Sequence, residues 1–409
     1  MTCPRTLFTV AMIADGAQNS VAPGAILLEN STIIAAGRPE SIGEVLDAQR
    51  VDLPRKLVMP ALVNAHAHLD LTHIGPTPGV GSFADWISRL QSQRASDDAG
   101  IEASVRRGID LSMVGGTALI ADIAGVGSIV PIRTLRDSPL GGVSFLEVFG
   151  NGLRQTQCVE MMRKVTEDIA QDAGSVKLGL QPHSPYSCGI EVYQAARRSG
   201  LPLSTHLAET LEEIQFIMSG DGPLIDLLRH FGAWDASIES AGQHPIDHLE
   251  SILRKTPCLA AHLNYIDDRH LALLAAWPLG VAYCPRASAY FGHPHHHHHP
   301  HRYRDMLASG INVALGTDSM LCLDTPNRIS VLDEMRLLHR RDNADPRLLL
   351  QMGTTNGAIA LGVEPSRFTL DPGPVAGLIA LDINPDNALD PLRQILVGDA
   401  PPEWLSGPH

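Results

Sequence analysis

The chain has 409 residues, 44% of them hydrophobic and 19% charged, with a formal net charge of −14. That length suits one large α/β domain with an accessory domain, and that composition excludes a disordered polymer. The acidic balance, without any lysine or arginine block, excludes an extended phosphate-binding surface, so no nucleic-acid partner is expected.

Six cysteines (Cys3, Cys158, Cys188, Cys258, Cys284 and Cys322) stand apart with no C-x-x-C pair, against a zinc ribbon or a disulfide framework and for a cytoplasmic protein. PRTLFTVAMIADG (4–16) sets an arginine before a short apolar run. Asp15-Gly16 reads as a turn and no small-residue cleavage site follows, so a strand is expected there rather than a signal peptide. AILLENSTIIAA (25–36) is a hairpin around Glu29-Asn30-Ser31-Thr32, and the first 57 residues read as all-β. GPVAGLIALDIN (373–384) is another short strand. The two ends are expected to pair into a small β-sandwich domain, 1–57 plus 365–409, flanking a central domain over 58–364.

Within the central domain, strand-like runs ending in polar residues alternate with helical stretches. The runs are KLVMPALVNAHAH, GTALIADI, GVSFLEVFG, VKLGLQPHS, LPLSTHLAE, CLAAHL, GVAYCPR and NVALGTDS. Residues 192–200, 268–277 and 302–310 read as helices between them, two of the three closing on glycine. Eight such units predict an α/β fold of the (β/α)₈ TIM-barrel type, whose active site forms at the strands' C-terminal ends. His206 and His262 are 56 residues apart across one unit, so that crossover is expected to carry an insertion, near 230–250. The longest apolar stretch, 271–284, is broken by Pro278 and is too short for a membrane span, which takes about 20 residues.

HPHHHHHPH (293–301) is an internal low-complexity segment. It reads either as a secondary metal-binding or regulatory loop or as an exposed loop of biased composition. Prolines and solvated histidines specify no single coordination geometry, which favours the second reading.

His66 and His68, two apart on a strand, point to the same side, and inside a barrel that side is the lumen. Burying both imidazoles unpaired is costly, whereas a metal ion binds neutral imidazole and accounts for both. THLAET, AHLNY and LGTDS add His206, His262 and Asp318 at the same edge. Singly, each could be a core histidine or a helix cap; their joint placement points to a metal site.

In order and spacing, MPALVNAHAH, HSPYS, STHLAET, AAHLNY, CPRAS and LGTDS resemble the amidohydrolase superfamily, specifically its mononuclear metal-dependent deaminase branch. That branch includes S-adenosylhomocysteine, methylthioadenosine and aminofutalosine deaminases and lies near the triazine hydrolases. The resemblance implies one divalent metal per subunit held by His66, His68, His206 and Asp318. His262 would hold the attacking water, Asp318 would accept its proton, and Glu209 would shuttle that proton to a ring nitrogen. Zinc is preferred over iron because hydrolysis needs no redox chemistry. It further implies that His183 of HSPYS contacts a ring nitrogen and that Trp86 of SFADWI lines the pocket. Lys177, the one candidate for the bridging lysine of two-metal relatives, lies six residues before His183, toward the wrong end of its strand.

WISRLQSQRA lacks the glutamate that binds ribose hydroxyls in the S-adenosylhomocysteine and methylthioadenosine enzymes, and NAHAHLDLTHIG resembles the aminofutalosine deaminases more closely. Arg89, Arg94 and Arg154 could meet an acidic substituent, although helix-surface positions are the expectation. The expected activity is hydrolytic removal of the exocyclic amine from a 6-aminopurine nucleoside or related N-heterocycle. The alternatives are another hydrolysis on the same fold, removing chloride or opening a cyclic amide, or a non-catalytic metal-binding protein using the 293–301 histidines. The expected partner is a small-molecule substrate, with no membrane and with a homo-oligomer allowed.

Overall fold

Alternating burial over Phe8–Met12 and a turn at Asn30, whose φ of 55° suits asparagine, begin the chain as a sheet. The computed structural model describes residues 5–17, 19–79, 82–169, 174–295 and 300–408. Its first strands are β1 (Arg5–Ala14), β2 (Ser20–Val21), β3 (Gly24–Glu29), β4 (Thr32–Gly37) and β5 (Ala48–Pro60). Then come β6 (Leu62–His68), β7 (Thr117–Ala124), β8 (Gly141–Val148), β9 (Val176–Pro182), β10 (Ser204–Leu207), β11 (Cys258–His262), β12 (Leu279–Tyr283), β13 (Asn312–Leu315) and β14 (Asp318–Ser319). The last are β15 (Gly373–Pro374), β16 (Leu378–Asp382) and β17 (Glu403–Ser406).

Both chain ends enter one hydrogen-bonded sheet in the order β15-β4-β3-β1-β5-β16-β17, with β2 paired to β1. β1 and β5 run parallel, and β16 closes antiparallel on β5. Phe8, Val10, Ile26, Val58 and Leu378 form an apolar cluster within this sheet, and Leu7, Ala25 and Leu27 form a smaller one.

KLVMPALVNAHAH, read above as one strand, is two. Pro60 has no N–H to continue a ladder, and β5 ends there. The Ala61 amide donates to Gly377 of the terminal sheet at 2.9 Å, while the next amide, Leu62, donates to Gly116 of the barrel at 2.8 Å. The chain thus changes sheets across a single peptide unit, and β6 starts in register with β7.

β6 to β9 pair parallel in sequence order, as do β10 to β13. A parallel bridge between Leu180 and Leu203 joins the two sets. At the other seam, Thr317 donates to the His66 carbonyl, Gly316 to the Tyr283 carbonyl, and β14 pairs with β6. The eight strands therefore close into a (β/α)₈ barrel. A Cβ on Gly316 would lie 2.7 Å from the His66 Cβ, so the closure needs glycine there. Strands covered on both faces read as mainly apolar runs, as in TALIADIA of β7, which is buried throughout, Asp122 included.

The long β10–β11 crossover holds three helices, Leu211–Ser219, Pro223–His230 and Pro245–Leu253. The segment expected to carry the insertion, near 230–250, lies within this added length: 231–244 has no helix or strand, and the third helix begins at Pro245. Helix Ile190–Ser199 ends on left-handed Gly200 as expected. Among the described residues no helix is long and apolar enough to cross a membrane.

Gly142, at the start of β8, has φ 136°, and a Cβ there would meet the Ile120 carbonyl oxygen of β7 at 1.9 Å. Gly142→Ala should lower stability by roughly 2–4 kcal/mol through strain and backbone clash, read as an earlier urea midpoint with unchanged slope.

Candidate metal centre and active site

The barrel's C-terminal rim gathers the histidines singled out in the sequence. The His66 and His68 ring centroids are 5.1 Å apart; His206 lies 5.0 Å from His66 and 5.5 Å from His68, and His262 5.5 Å from His66. Donor atoms converge in overlapping sets, each within 4.8 Å: His66, His206 and His262; His66, His68 and Asp318; Glu209, His262 and Asp318. Asp318 Oδ1 is 3.6 Å from His68 Nε2, and Glu209 Oε1 is 3.6 Å from His262 Nε2.

These donors fit a divalent cation. His66 is fully buried, yet neither ring nitrogen has a hydrogen-bond partner, an arrangement that is costly unless the ring coordinates something. Burial holds the His66, His68 and His262 imidazoles well below their usual pKa and brings His206 down to about 4, keeping all four neutral and able to coordinate. His206 Nδ1 donates to the His183 carbonyl at 3.0 Å, which leaves Nε2 as the coordinating nitrogen.

The carboxylates differ from ordinary surface acids. Burial pushes Asp318 up to about 6 and Glu209 well above its usual value, the latter reinforced by Asp318, Glu213 and Glu212. Ala208, His262, Leu263 and Asp318 have φ of 48°, 72°, 51° and 58°. The other left-handed non-glycines among the described residues are both asparagines, so the strained residues cluster at this rim.

Sequence reasoning missed the supports of Glu209. Glu213 accepts from the Ala208 amide at 3.0 Å and the Glu209 amide at 2.9 Å, and Thr210 caps the following helix. Thr210-x-x-Glu213 has the capping-box pattern, a signal available in the sequence. Asn264 of AHLNY donates to the Glu209 carbonyl at 3.0 Å and is held by Ser288 of CPRAS at 3.0 Å.

A cavity of about 370 Å³ opens over this rim. His68, His206, Glu209, His262 and Asp318 lie among its lining residues, together with Leu71, Phe83, Leu90, Leu228 and Phe291. Trp86 also lines it, on helix Phe83–Gln93, whose start is fixed by a Ser82/Asp85 capping box. Its ring packs edge-on to Phe291 at 5.0 Å, and its Nε1 has no hydrogen-bond partner. His183 lines the same cavity, bonded through Nδ1 to Ser187 at 2.7 Å and stacked on Phe149 at 4.7 Å, with Nε2 3.9 Å from Glu147.

Three expectations about charged residues divide. Arg94 is not a surface residue: it pairs with buried Asp70 and lines the cavity. Arg154 also lines the cavity and donates to the Gly232 carbonyl, whereas Arg89 is exposed and does not line it. Lys177 is exposed near the start of β9, with Nζ 3.5 Å from the Gly362 carbonyl, away from this rim as expected. In the histidine-rich segment, residues 296–299 lie outside the described residues. His295 is exposed, but His293 and His301 are buried, which corrects the expectation of an exposed loop at those two positions.

Residues 57–407 match the family model described as the amidohydrolase family. The chain belongs to the amidohydrolase family. This amidohydrolase is 26% identical over 387 residues to a 5-methylthioadenosine/S-adenosylhomocysteine deaminase of Syntrophomonas wolfei, covering 90% of this chain and 82% of the relative. Its fold is similar to that of an adenosine deaminase from Xanthomonas campestris with bound zinc, with a TM-score of 0.79, 18% identity, and coverage of 99% of this chain and 92% of that one. It is also similar to Helicobacter pylori aminofutalosine deaminase, with a TM-score of 0.77, 19% identity, and coverage of 96% and 95%.

Glu213→Ala would leave the Ala208 and Glu209 amides buried without their acceptor. Calorimetry should show a loss of roughly 2–4 kcal/mol, with Glu213→Gln, which keeps one acceptor, losing less.

Proposed function

We propose that this amidohydrolase is a metal-dependent aminohydrolase that removes the exocyclic amine from a 6-aminopurine nucleoside or a related N-heterocycle, releasing ammonia. The observation that carries this is Glu209, a buried carboxyl beside His262 and Asp318 at the edge of a largely apolar cavity. The deaminase relative and the two deaminase folds support the same reading. His66, His68, His206 and Asp318 would hold one divalent cation, zinc in preference to iron because the reaction is not a redox reaction. When bound, such a cation lowers the pKa of water toward about 7.

In this reading Asp318 takes the proton from the attacking water while His262 orients that water. Oxygen adds at the ring carbon bearing the amine. Glu209 delivers a proton to the adjacent ring nitrogen and then takes up the proton of the added hydroxyl, while Asp318 returns the water's proton to the amine; the carbon–nitrogen bond breaks, and ammonia and the 6-oxo ring result. Burial raises its pKa, the direction that suits a group that must hold a proton before giving it. Trp86 packs against the heterocycle, and His183, kept neutral by burial, faces a ring nitrogen. Arg154 brings a guanidinium to the cavity wall, a place for an acidic substituent on the substrate, whereas the Arg94 charge is taken up by Asp70.

The same reading assigns catalysis to a barrel domain of residues 58–364 and leaves 1–57 plus 365–409 as a small β-sandwich domain. Free, buried cysteines at 158, 188, 258, 284 and 322 suit a cytoplasmic location.

Zinc-loaded protein should release ammonia from adenosine derivatives and not from triazines or lactams; chloride release from a chlorotriazine without ammonia release would replace this reading with the rival hydrolysis. Chelation should abolish the activity and zinc should restore it. Glu209→Gln should keep its metal, by elemental analysis, while turnover falls by about 10²–10⁴-fold.

A further inference from the structure

The histidine-rich segment has no part in the mechanism above, yet its last residue reaches the site. His301 Nε2 lies 2.7 Å from the His262 carbonyl oxygen. The Tyr303 amide can only donate, and it donates to His301 Nδ1 at 3.1 Å, so the ring proton sits on Nε2 and points at that carbonyl. The imidazole is buried and stacks on Tyr283 of β12, with centroids 3.6 Å apart and planes 8° from parallel. Its aim is therefore set by three contacts from three elements, β11, β12 and helix Tyr303–Ala308.

The carbonyl it meets belongs to a strained corner. His262 and Leu263 are consecutive non-glycines with φ of 72° and 51°. A β-strand residue would continue the ladder here; instead the chain turns, and the turn aims the His262 ring toward Glu209. Such a conformation persists only where its surroundings over-determine it. On one side, the Leu263 amide donates to the Leu207 carbonyl at 3.0 Å and the Tyr265 amide to the Ala208 carbonyl at 3.2 Å. On the other side stands the histidine-rich segment. His301 holds the 262 carbonyl, while the His295 amide donates to the Tyr265 hydroxyl at 3.1 Å and that hydroxyl is hydrogen-bonded to His293 Nδ1 at 2.8 Å.

We propose that His301 is a positioning residue: by hydrogen-bonding the His262 carbonyl, it clamps the left-handed 262–263 corner and so keeps the His262 imidazole facing Glu209. The proposal rests on the deaminase reading for its kinetic consequence, but the clamp itself is a property of the backbone. The two flanks of the segment, His293 and His301, brace one corner of the active site from the β12–β13 connection.

The test uses the full-length zinc-loaded chain. His301→Phe keeps the stack on Tyr283 and removes the donor; His301→Gln restores an N–H near the Nε2 position. With adenosine and 5′-methylthioadenosine as probes, the phenylalanine variant should lose about 100-fold in kcat, as expected for a small misplacement of a reacting group, with KM within about twofold and metal content unchanged. Amide hydrogen exchange at Leu263 and Tyr265 should speed up by about tenfold or more, with the rest of β10 and β11 unaffected. His301→Gln should recover most of both losses. Wild-type kcat and wild-type exchange in His301→Phe, or equal losses in the phenylalanine and glutamine variants, would overturn the proposal. If His301→Phe does not fold, His301→Asn, whose shorter amide falls short of the carbonyl, takes its place. If the wild-type protein releases no ammonia from either probe, the deaminase reading fails, and exchange at Leu263 and Tyr265 alone decides the clamp.

Discussion

The rim of this barrel depends on one constraint: several imidazoles and two carboxyls are buried side by side at the floor of a cavity. Desolvation acts on the two kinds of group in opposite senses, holding the histidines neutral and raising the acids. Neutral imidazoles are the coordinating form, and an acid whose pKa burial has raised holds and passes a proton more readily. One physical cause thus prepares both halves of a hydrolytic site. The unpartnered nitrogens of His66 mark where that arrangement is incomplete without a cation.

Around this volume the backbone is bent out of its strand geometry. Ala208, His262, Leu263 and Asp318 sit in the left-handed region, and each rim loop is tied to a neighbour. Glu213 and Asn264 fix both ends of the Glu209 peptide, Ser288 fixes Asn264, and His301 meets the His262 carbonyl. These ties come from three connections, those after β10, β11 and β12. The asparagine of AHLNY and the serine of CPRAS are therefore supports for their neighbours.

The terminal sheet meets the barrel at Ala61-Leu62, where successive amides serve different sheets. β6, which carries His66 and His68, begins at that changeover. Helix Pro391–Val397 adds a second attachment, since Arg336 of the barrel side donates to the Ile395 and Ala400 carbonyls at 3.0 and 2.7 Å. The first barrel strand is thereby anchored at its start as well as along its length.

What the sequence by itself determined was set by local periodicity and covalent chemistry. The period-two spacing of His66 and His68, the apolar runs of the eight strands, the hairpin at Asn30 and the glycine closing helix Ile190–Ser199 are properties of neighbouring residues, and they were legible without coordinates. The motif order also carried the family. Tertiary structure decided whatever depended on residues distant in the chain. The run through Pro60 divided because two different sheets compete for adjacent amides; Arg94 went inward because Asp70 waits beneath it; His301 left an otherwise solvent-suited tract because a carbonyl 39 positions away needed a donor. No window of sequence contains both partners of such contacts, so pattern cannot report them; only the closure of the barrel brings them within bonding distance.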